Sequence, residues 1–282
     1  MANMNCFQLV KTVLDEIYTE IPLREEAEKD QAIKEELDSL YSKYKNLSSG
    51  ESINYSNPAT RFAYIYRYVT SHANIVYNII ESCPELTDLM ASDKVNMTCI
   101  GGGPGSDLLG VLKYLINHEK NTFLRCTLYD REETWAESWA DVDNKLETQL
   151  RISTVFQRFD VCDETTWSYH SKYLNSDIFT MSYFMSEVFK IKNEADSFFK
   201  NFFAKAKEDS VFLYIDNNSP DFYGWFDKLA EKNSLAIIKS TTKNISMSGD
   251  EQKTDLGVYY EKFGYPKLKA DIAYRVCRKD QT

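Results

Sequence analysis

A glycine-rich turn is the part of the sequence whose residue types and spacing point most directly to chemistry. Gly101, Gly103 and Gly105 form a G-x-G-x-G pattern, with Gly102 between the first two. A β-rich run, residues 95–101, leads into the turn, and a helical run leads out of it. Glycine suits such a turn because it adopts positive φ and because a Cβ atom would keep a ligand away from the backbone. The first N–H groups of the following helix add hydrogen-bond donors at the same place.

The spacing favours S-adenosylmethionine over a dinucleotide. The dinucleotide pattern is G-x-G-x-x-G, whereas here the third glycine comes one residue early and Ser106 follows it. Asp130 ends the second strand, where a carboxylate can accept both ribose hydroxyls, and Asp160 ends the third, where it can accept the adenine amino group beside Val161. Such strand ends are where open α/β sheets bind ligands. Taken separately, Asp130 could be a helix N-cap and Asp160 a solvated loop acid.

The elements that must position these residues alternate between strands and helices. Strands are predicted at 95–101, 122–130, 152–161, 177–184, 210–216, 235–240 and 270–278. Helices are predicted between them at 106–119, 131–150, 191–207 and 220–231. This alternation predicts a mostly parallel sheet with helices on both faces.

The segment from about residue 94 to 278 resembles a class I S-adenosylmethionine-dependent methyltransferase, through this turn and these two acids. The resemblance implies an α/β fold with seven strands in the order 3-2-1-4-5-7-6, the last strand antiparallel, and S-adenosylmethionine as the cofactor. The family commonly has an acid two residues before the first glycine, where this chain has Cys99, so Asp107 is expected to take part of that role. The implied cofactor-binding residues are Gly101, Gly102, Gly103, Gly105, Asp107, Asp130, Asp160 and Val161.

The reacting residues of this family follow the fourth strand. Ser182 and Tyr183 are expected to face the methyl group, and Glu187 to orient or deprotonate an acceptor. The N/D-P-P-Y signature of base amino-group methylation is absent. The alternative is that Tyr183 belongs to the core and Glu187 is a favourable first-turn acid of a helix. Asn217, after the fifth strand, is expected at the pocket rim, or else in an Asx turn.

Residues 1–92 are predicted to form a helical cap on a methyltransferase domain at 93–282. Two helices are expected over 3–46, and a third from Pro58 to about residue 82. On the third helix, polar and aromatic side chains recur at spacings of three and four: Arg61, Tyr64, Arg67, Tyr68 and His72. We expect Arg61, Tyr64 and Tyr68 to contact the acceptor. The alternative is a solvated face beside a buried aromatic stripe, with a structural histidine.

Composition bears on the acceptor. The 282 residues include 33 basic and 43 acidic side chains, a net charge of -10, which weakens the case for a nucleic-acid partner. Aromatic residues make up 14% of the chain and supply pocket walls, so we expect a small-molecule acceptor and an N or O nucleophile. A second alternative is a S-adenosylmethionine-binding regulatory or scaffold protein without turnover.

RNA remains the first alternative acceptor, because three short segments resemble fungal-type ribosomal RNA uridine-N3 methyltransferases. These segments are GGGPGSDLLG, DIFTMSYFMSEVF and VFLYIDNNSPDFY. The lysines near the pocket alternate with acids, which favours a solvated helix face: Lys190, Lys192, Lys200, Lys205 and Lys207.

Six scattered cysteines without CxxC or zinc spacing predict reduced thiols and no metal site. The sequence shows neither a membrane-spanning run nor a secretory signal, so we expect a cytoplasmic protein, or a nuclear one, without a membrane partner. The oligomeric state is left open.

Overall fold

A seven-stranded sheet lies at the centre of the protein. The computed structural model describes residues 5–45, 53–138, 140, 151–168, 171–247 and 252–280. The strands are β1 Lys94–Ile100, β2 Phe123–Asp130, β3 Ile152–Arg158, β4 Ile178–Ser182, β5 Val211–Asn217, β6 Leu235–Ser246 and β7 Lys269–Lys279. Their order is β3-β2-β1-β4-β5-β7-β6, and β7 runs antiparallel to both of its neighbours. The predicted fold class and strand order are confirmed.

Helices cover the sheet on both faces, as predicted. They are α1 Cys6–Glu20, α2 Glu26–Lys45, α3 Pro58–Tyr64, α4 Thr70–Glu81, α5 Pro84–Leu89, α6 Ser106–Asn117, α7 Phe184–Val188, α8 Asp196–Lys205, α9 Pro220–Lys232 and α10 Val258–Phe263. Strand β5 shows the two layers, because its side chains alternate between two hydrophobic clusters. Val211, Leu213 and Ile215 pack with α1 to α6, whereas Phe212 and Tyr214 pack with α8 and α9.

Parallel pairing brings the carboxyl ends of four strands to one edge of the sheet. β1 pairs in parallel with β2 and β4, and β4 pairs in parallel with β5. The glycine turn after β1, Asp130 at the end of β2 and Tyr183 after β4 therefore lie at the same edge. This is the crevice where open α/β sheets bind ligands.

The N-terminal helices share the core of the sheet. Helix α1 buries Val10, Val13, Leu14 and Ile17 at helical spacing, in the same cluster as Val95 of β1. The predicted domain boundary between residues 92 and 93 therefore lies between two segments that share one hydrophobic core. That residues 1–92 cover the acceptor stays a prediction.

The third predicted helix is interrupted by a π-helical segment at Ile65–Val69, between α3 and α4. Its start is as predicted, with Asn57 as the N-cap and Pro58 in the first turn. A distant part of the chain attaches to the interruption. The Lys267 N–H donates to the Arg67 carbonyl at 2.9 Å, and the Tyr66 hydroxyl donates to the carbonyl of Gly264. Such π segments often occur at functional sites.

Several predicted bounds differ from the structure. β3 ends at Arg158 because Asp160 begins a turn, in which Asp163 N–H donates to the Asp160 carbonyl at 3.0 Å. β6 extends beyond the predicted residue 240 to Ser246 because it pairs with β7 along its length, although residues 241–246 are mostly polar. The helix predicted at 191–207 begins at Asp196. Of the helix predicted at 131–150, residues 135–138 are helical and residues 141–150 lie outside the described ranges.

All six cysteines, each within the described part of the chain, are free thiols, and only Cys162 is exposed. None of the described helices combines the length and the apolarity that crossing a bilayer requires.

Candidate functional site

The glycine turn has the backbone geometry that the sequence predicted. Gly101 has φ +66° and Gly103 has φ +46°, values that other residues rarely adopt. A Cβ atom on Gly101 would overlap the Phe184 ring, whereas a Cβ on Gly103 would have no atom closer than 3.8 Å. Gly101 is thus required by packing, and Gly103 leaves the backbone open to a ligand. Gly102 faces the sheet instead, because a Cβ atom added to this glycine would lie 3.0 Å from Cβ of Cys99.

Asp130 joins the turn to the end of β2. Its Oδ2 accepts from the Gly103 N–H at 2.9 Å and its Oδ1 accepts from the Glu132 N–H at 3.0 Å. Burial raises the pKa of Asp130 to about 6. Because each carboxylate oxygen can accept two hydrogen bonds, the side chain can also accept from a ligand hydroxyl.

A first cavity, which we call the turn cavity, opens between the glycine turn, the ends of β2 and β4, and the N-terminal region. The predicted site residues in its lining are Tyr64, Gly101, Gly103, Asp130, Asp160, Val161, Ser182, Tyr183 and Glu187. Further lining residues are Ile53, Tyr55, Pro104, Arg131, Glu132, Trp135, Phe159, Phe184, Val188 and Ile191. The Trp135 ring lies 5.0 Å from that of Tyr55 and 5.7 Å from that of Tyr64, so aromatic rings form one wall.

Glu187 links this cavity to the N-terminal region. Its Oε1 accepts from the hydroxyls of Tyr44 at 3.0 Å and Tyr55 at 3.3 Å. Glu187 is solvent-accessible within the cleft, yet the surrounding protein limits its hydration and raises its pKa to about 7, to which the charge of Asp130 adds. At neutral pH this side chain can therefore exchange a proton.

Tyr183 stands between the turn cavity and a second cavity, which we call the tyrosine cavity. It has φ +57°, which is uncommon for a residue with a side chain, and its ring stacks on His72 with centroids 4.0 Å apart. The tyrosine cavity has a volume of about 260 Å³. Its lining residues are Tyr41, Tyr44, Lys45, Arg67, Tyr68, His72, Tyr183, Asn217 and Lys267.

Four predicted site residues line neither of these two cavities. Asp107 is buried in α6 and accepts from the Thr180 hydroxyl, and burial raises its pKa. Gly102 and Gly105 shape the turn through a hydrogen bond of 2.8 Å between them. Arg61 has a buried side chain that pairs with Glu20 and donates to backbone carbonyls of the segment before α3, so its contact with the acceptor stays a prediction.

Several lining residues were not predicted. Tyr55 lies in a segment predicted as a loop, where an aromatic residue among polar ones is the signal that could have indicated it. His72 was expected to be structural, but its Nε2 is buried and has no hydrogen-bond partner in the part of the chain that the structure describes. Lys267 belongs to no sequence motif, and it reaches the site through the contact with the π-helical segment.

No protein-family model and no curated protein matches the chain. The structure is similar to a proposed class I S-adenosylmethionine-dependent methyltransferase from Listeria monocytogenes, at 12% identity and TM-score 0.49, over 98% of this chain and 88% of that one. It is also similar to a S-adenosylmethionine-dependent methyltransferase from Methanosarcina mazei, at 10% identity and TM-score 0.46, over 71% of this chain and 99% of that one. A proposed RNA methyltransferase from Pyrococcus horikoshii matches at 12% identity and TM-score 0.45, over 83% of this chain and 95% of that one. At such identities the chemistry has to be argued from the residues themselves.

Proposed function

We propose that this protein is a S-adenosylmethionine-dependent methyltransferase that acts on a small molecule. The observation that carries the proposal is the hydrogen bond between the Gly103 N–H and the Asp130 carboxylate in the wall of the turn cavity. It combines an open glycine backbone with a carboxylate at the next strand end, which is the arrangement that a ribose-bearing ligand requires.

The residues of the turn cavity fit this cofactor in kind and in charge. Asp130 is placed to accept from the ribose, and Asp160 with Val161 to contact the adenine. The lining carries four acids, Asp130, Glu132, Asp160 and Glu187, and one base, Arg131. This excess of negative charge suits a ligand that carries a positive sulfur and an ammonium group. When bound, S-adenosylmethionine supplies an electrophilic methyl group.

The chain's own residues would mainly hold the acceptor in line with that methyl group. Tyr183 lines both cavities and so lies where a methyl donor and an acceptor would meet. Glu187 and Ser182 lie in the same wall as Tyr183, and Glu187 can take up a proton near neutral pH. We assign to the N-terminal segment, residues 1–92, the role of covering the acceptor, because Tyr44, Tyr64 and Tyr68 line the cavities.

Two features favour a small molecule over RNA. The first is that aromatic side chains form the walls of the tyrosine cavity. The second concerns the lysines near the pocket, which were predicted to form a solvated helix face: one of them, Lys200, pairs with the acid Asp196. The free thiols suit a reducing compartment, and we place the activity in the cytoplasm.

Isothermal titration of the full chain with S-adenosylmethionine and S-adenosylhomocysteine tests the proposal, with NAD as the negative ligand. We expect micromolar binding of the first two and none of NAD. Asp130→Asn should weaken binding by about tenfold or more, as for a lost charged hydrogen bond. Asp221→Asn, which changes an exposed acid of α9, is the matched control and should bind as the parent does. Failure of both ligands to bind would end the proposal.

A further inference from the structure

The tyrosine cavity differs in charge from the turn cavity beside it. Three cations line it: Lys45, Arg67 and Lys267. Among the residues that the structure describes, its lining contains no aspartate or glutamate. The chain as a whole has a net charge of -10, so a pocket with only basic charges runs against the composition. An arrangement of this kind attracts an anion.

Two of these cations are brought together by the fold. The N–H of Lys267, in the segment before β7, donates to the carbonyl of Arg67, which belongs to the π-helical segment. The pKa of Lys267 lies below its usual value because of burial first and the charge of Arg67 second, with Asp216 acting in the opposite direction. The ammonium group lies 5.4 Å from the centre of the Tyr68 ring and 5.6 Å from that of Tyr183. An anion between Lys267 and Arg67 would relieve their repulsion.

The walls of the cavity suit a planar ring. His72 stacks between Tyr183 and Tyr68, at centroid distances of 4.0 and 5.7 Å, and Tyr41 and Tyr44 line the same space. The volume of about 260 Å³ exceeds that of cavities of about 150 Å³ known to bind benzene. A single substituted ring therefore has room in it.

Within the described ranges of the chain, two buried polar atoms in the lining have no hydrogen-bond partner. They are Nε2 of His72 and the hydroxyl of Tyr183, in side chains that are 5% and 4% exposed. An unpaired buried polar atom has a free-energy cost, which a ligand that pairs with it removes. Burial and the charge of Lys267 hold the pKa of His72 well below its usual value, so its ring is neutral and Nε2 can accept a hydrogen bond.

We propose that the tyrosine cavity binds the methyl acceptor and that this acceptor is a small aromatic anion, a ring that carries a carboxylate or a phosphate. The anionic group lies between Lys267 and Arg67, with Lys45 at the entrance. The ring lies among the tyrosines, and its O–H or N–H group pairs with His72 next to Tyr183. That the bound anion is a methyl acceptor rests on the proposed function, whereas anion binding in the cavity can be tested without a cofactor.

Titration of the full chain with three matched probes, without cofactor, tests the site. The probes are 4-hydroxybenzoate, 4-hydroxyphenyl phosphate and the neutral 4-hydroxybenzamide, all of which carry the ring hydroxyl. We expect at least one of the two anions to bind at least about tenfold more tightly than the amide, because the amide cannot make the charged hydrogen bond. The preference between the two anions distinguishes a carboxylate from a phosphate substrate.

Lys267→Gln and Arg67→Gln should each weaken anion binding by about tenfold and leave the amide unchanged. Lys228→Gln is the matched control, since it removes the same charge from an exposed position on α9. Thermal melting of each variant establishes that it is folded, and two variants keep the test valid if one fails to fold.

Four results would overturn the inference. The first three are that no anion binds, that the amide binds as well as the anions, or that both cavity variants bind the anions like the parent. The fourth is that a short single-stranded RNA binds more tightly than the anions and loses binding in the same variants. The proposed function fails separately. If S-adenosylmethionine binds and the anions do not, only the acceptor inference is wrong. If the anions bind and S-adenosylmethionine does not, the anion site stands and the methyltransferase proposal fails.

Discussion

The two cavities on either side of Tyr183 are built in different ways. The turn cavity is lined by the segments that follow β1, β2, β3 and β4, together with part of the N-terminal region, and its charge is mainly negative. Among the described residues, the tyrosine cavity is lined by three residues of α2, two of the π-helical segment, and one each from α4, the segment after β4, β5 and the segment before β7. Its charge is positive.

This difference shows how one site can combine a common framework with an individual specificity. Strand ends of a parallel sheet meet wherever the sheet forms, so the turn cavity follows from topology. The tyrosine cavity depends on which side chains the N-terminal helices and the segment 264–267 happen to bring over the sheet. We therefore expect the first to determine the cofactor and the second to determine the acceptor.

The largest effect is expected from a change in the backbone of the turn cavity. Gly101→Ala places a Cβ against the Phe184 ring at a positive φ, and should lower the free energy of unfolding by about 2–4 kcal/mol and abolish cofactor binding. Gly224→Ala is the control, because this helical glycine has no atom within 4 Å of the added Cβ. It should be neutral or stabilising by about 0.5–1 kcal/mol. Urea unfolding measures both. Equal stabilities for the two variants would contradict the packing role of Gly101.

Opposite pH dependence should distinguish the two cavities. Asp130 and Glu187 have pKa values raised to about 6 and about 7, so both lose their charge as the pH falls. Affinity for S-adenosylmethionine should therefore rise about tenfold from about pH 5.5 to about pH 8.

Anion affinity in the tyrosine cavity should fall over the same range. The pKa of Asp216 is raised to about 6 by burial, so it ionises as the pH rises and adds negative charge close to Lys267. Lys267 itself loses its proton at higher pH. Titration of S-adenosylmethionine and of 4-hydroxybenzoate, whose carboxylate stays ionised over this range, in one pH series measures the two slopes. Slopes of the same sign would contradict the charge difference between the cavities.

A smaller effect is expected at the boundary between the cavities. The Tyr183 hydroxyl is buried without a partner among the residues that the structure describes, so Tyr183→Phe should leave the free energy of unfolding unchanged or raise it by about 1 kcal/mol. Methyl transfer should nevertheless fall, because Tyr183 lines both cavities. Tyr66→Phe is the matched control, because it removes a hydroxyl that bonds to the Gly264 carbonyl and should cost about 1 kcal/mol. Destabilisation of both variants by the same amount would show that the Tyr183 hydroxyl has a structural role.

Much of the framework could be predicted from the sequence. The alternation of strands and helices, the glycine turn and Asp130 at the end of β2 are properties of short, contiguous segments. The resemblance supplied the strand order, which the structure confirms. Bounds were less certain where tertiary pairing decides them, as in β6. Its first half, 235–240, was predicted as a strand, whereas the mostly polar residues 241–246 join it through pairing with β7.

The role of single charged residues was harder to predict. Arg61 and Asp107 were expected to contact ligands, yet both side chains are buried and bonded to other parts of the chain. Arg61 was predicted from its spacing along a helix and Asp107 from the family resemblance, and neither says what covers the side chain. Only the packed structure shows that Arg61 holds the segment before α3 and that Asp107 accepts from Thr180.

The sequence by itself determined the sheet, the turn and the carboxylate beside it, because these depend on local backbone preferences and on hydrophobic periodicity, which neighbouring residues encode. Only the tertiary structure decided the tyrosine cavity. Lys267 lies 200 residues after Arg67 in the chain, and the two meet because a backbone hydrogen bond joins the segment before β7 to the π-helical segment. Contacts between such distant residues arise from the packing of whole elements, and no short pattern in the sequence records them.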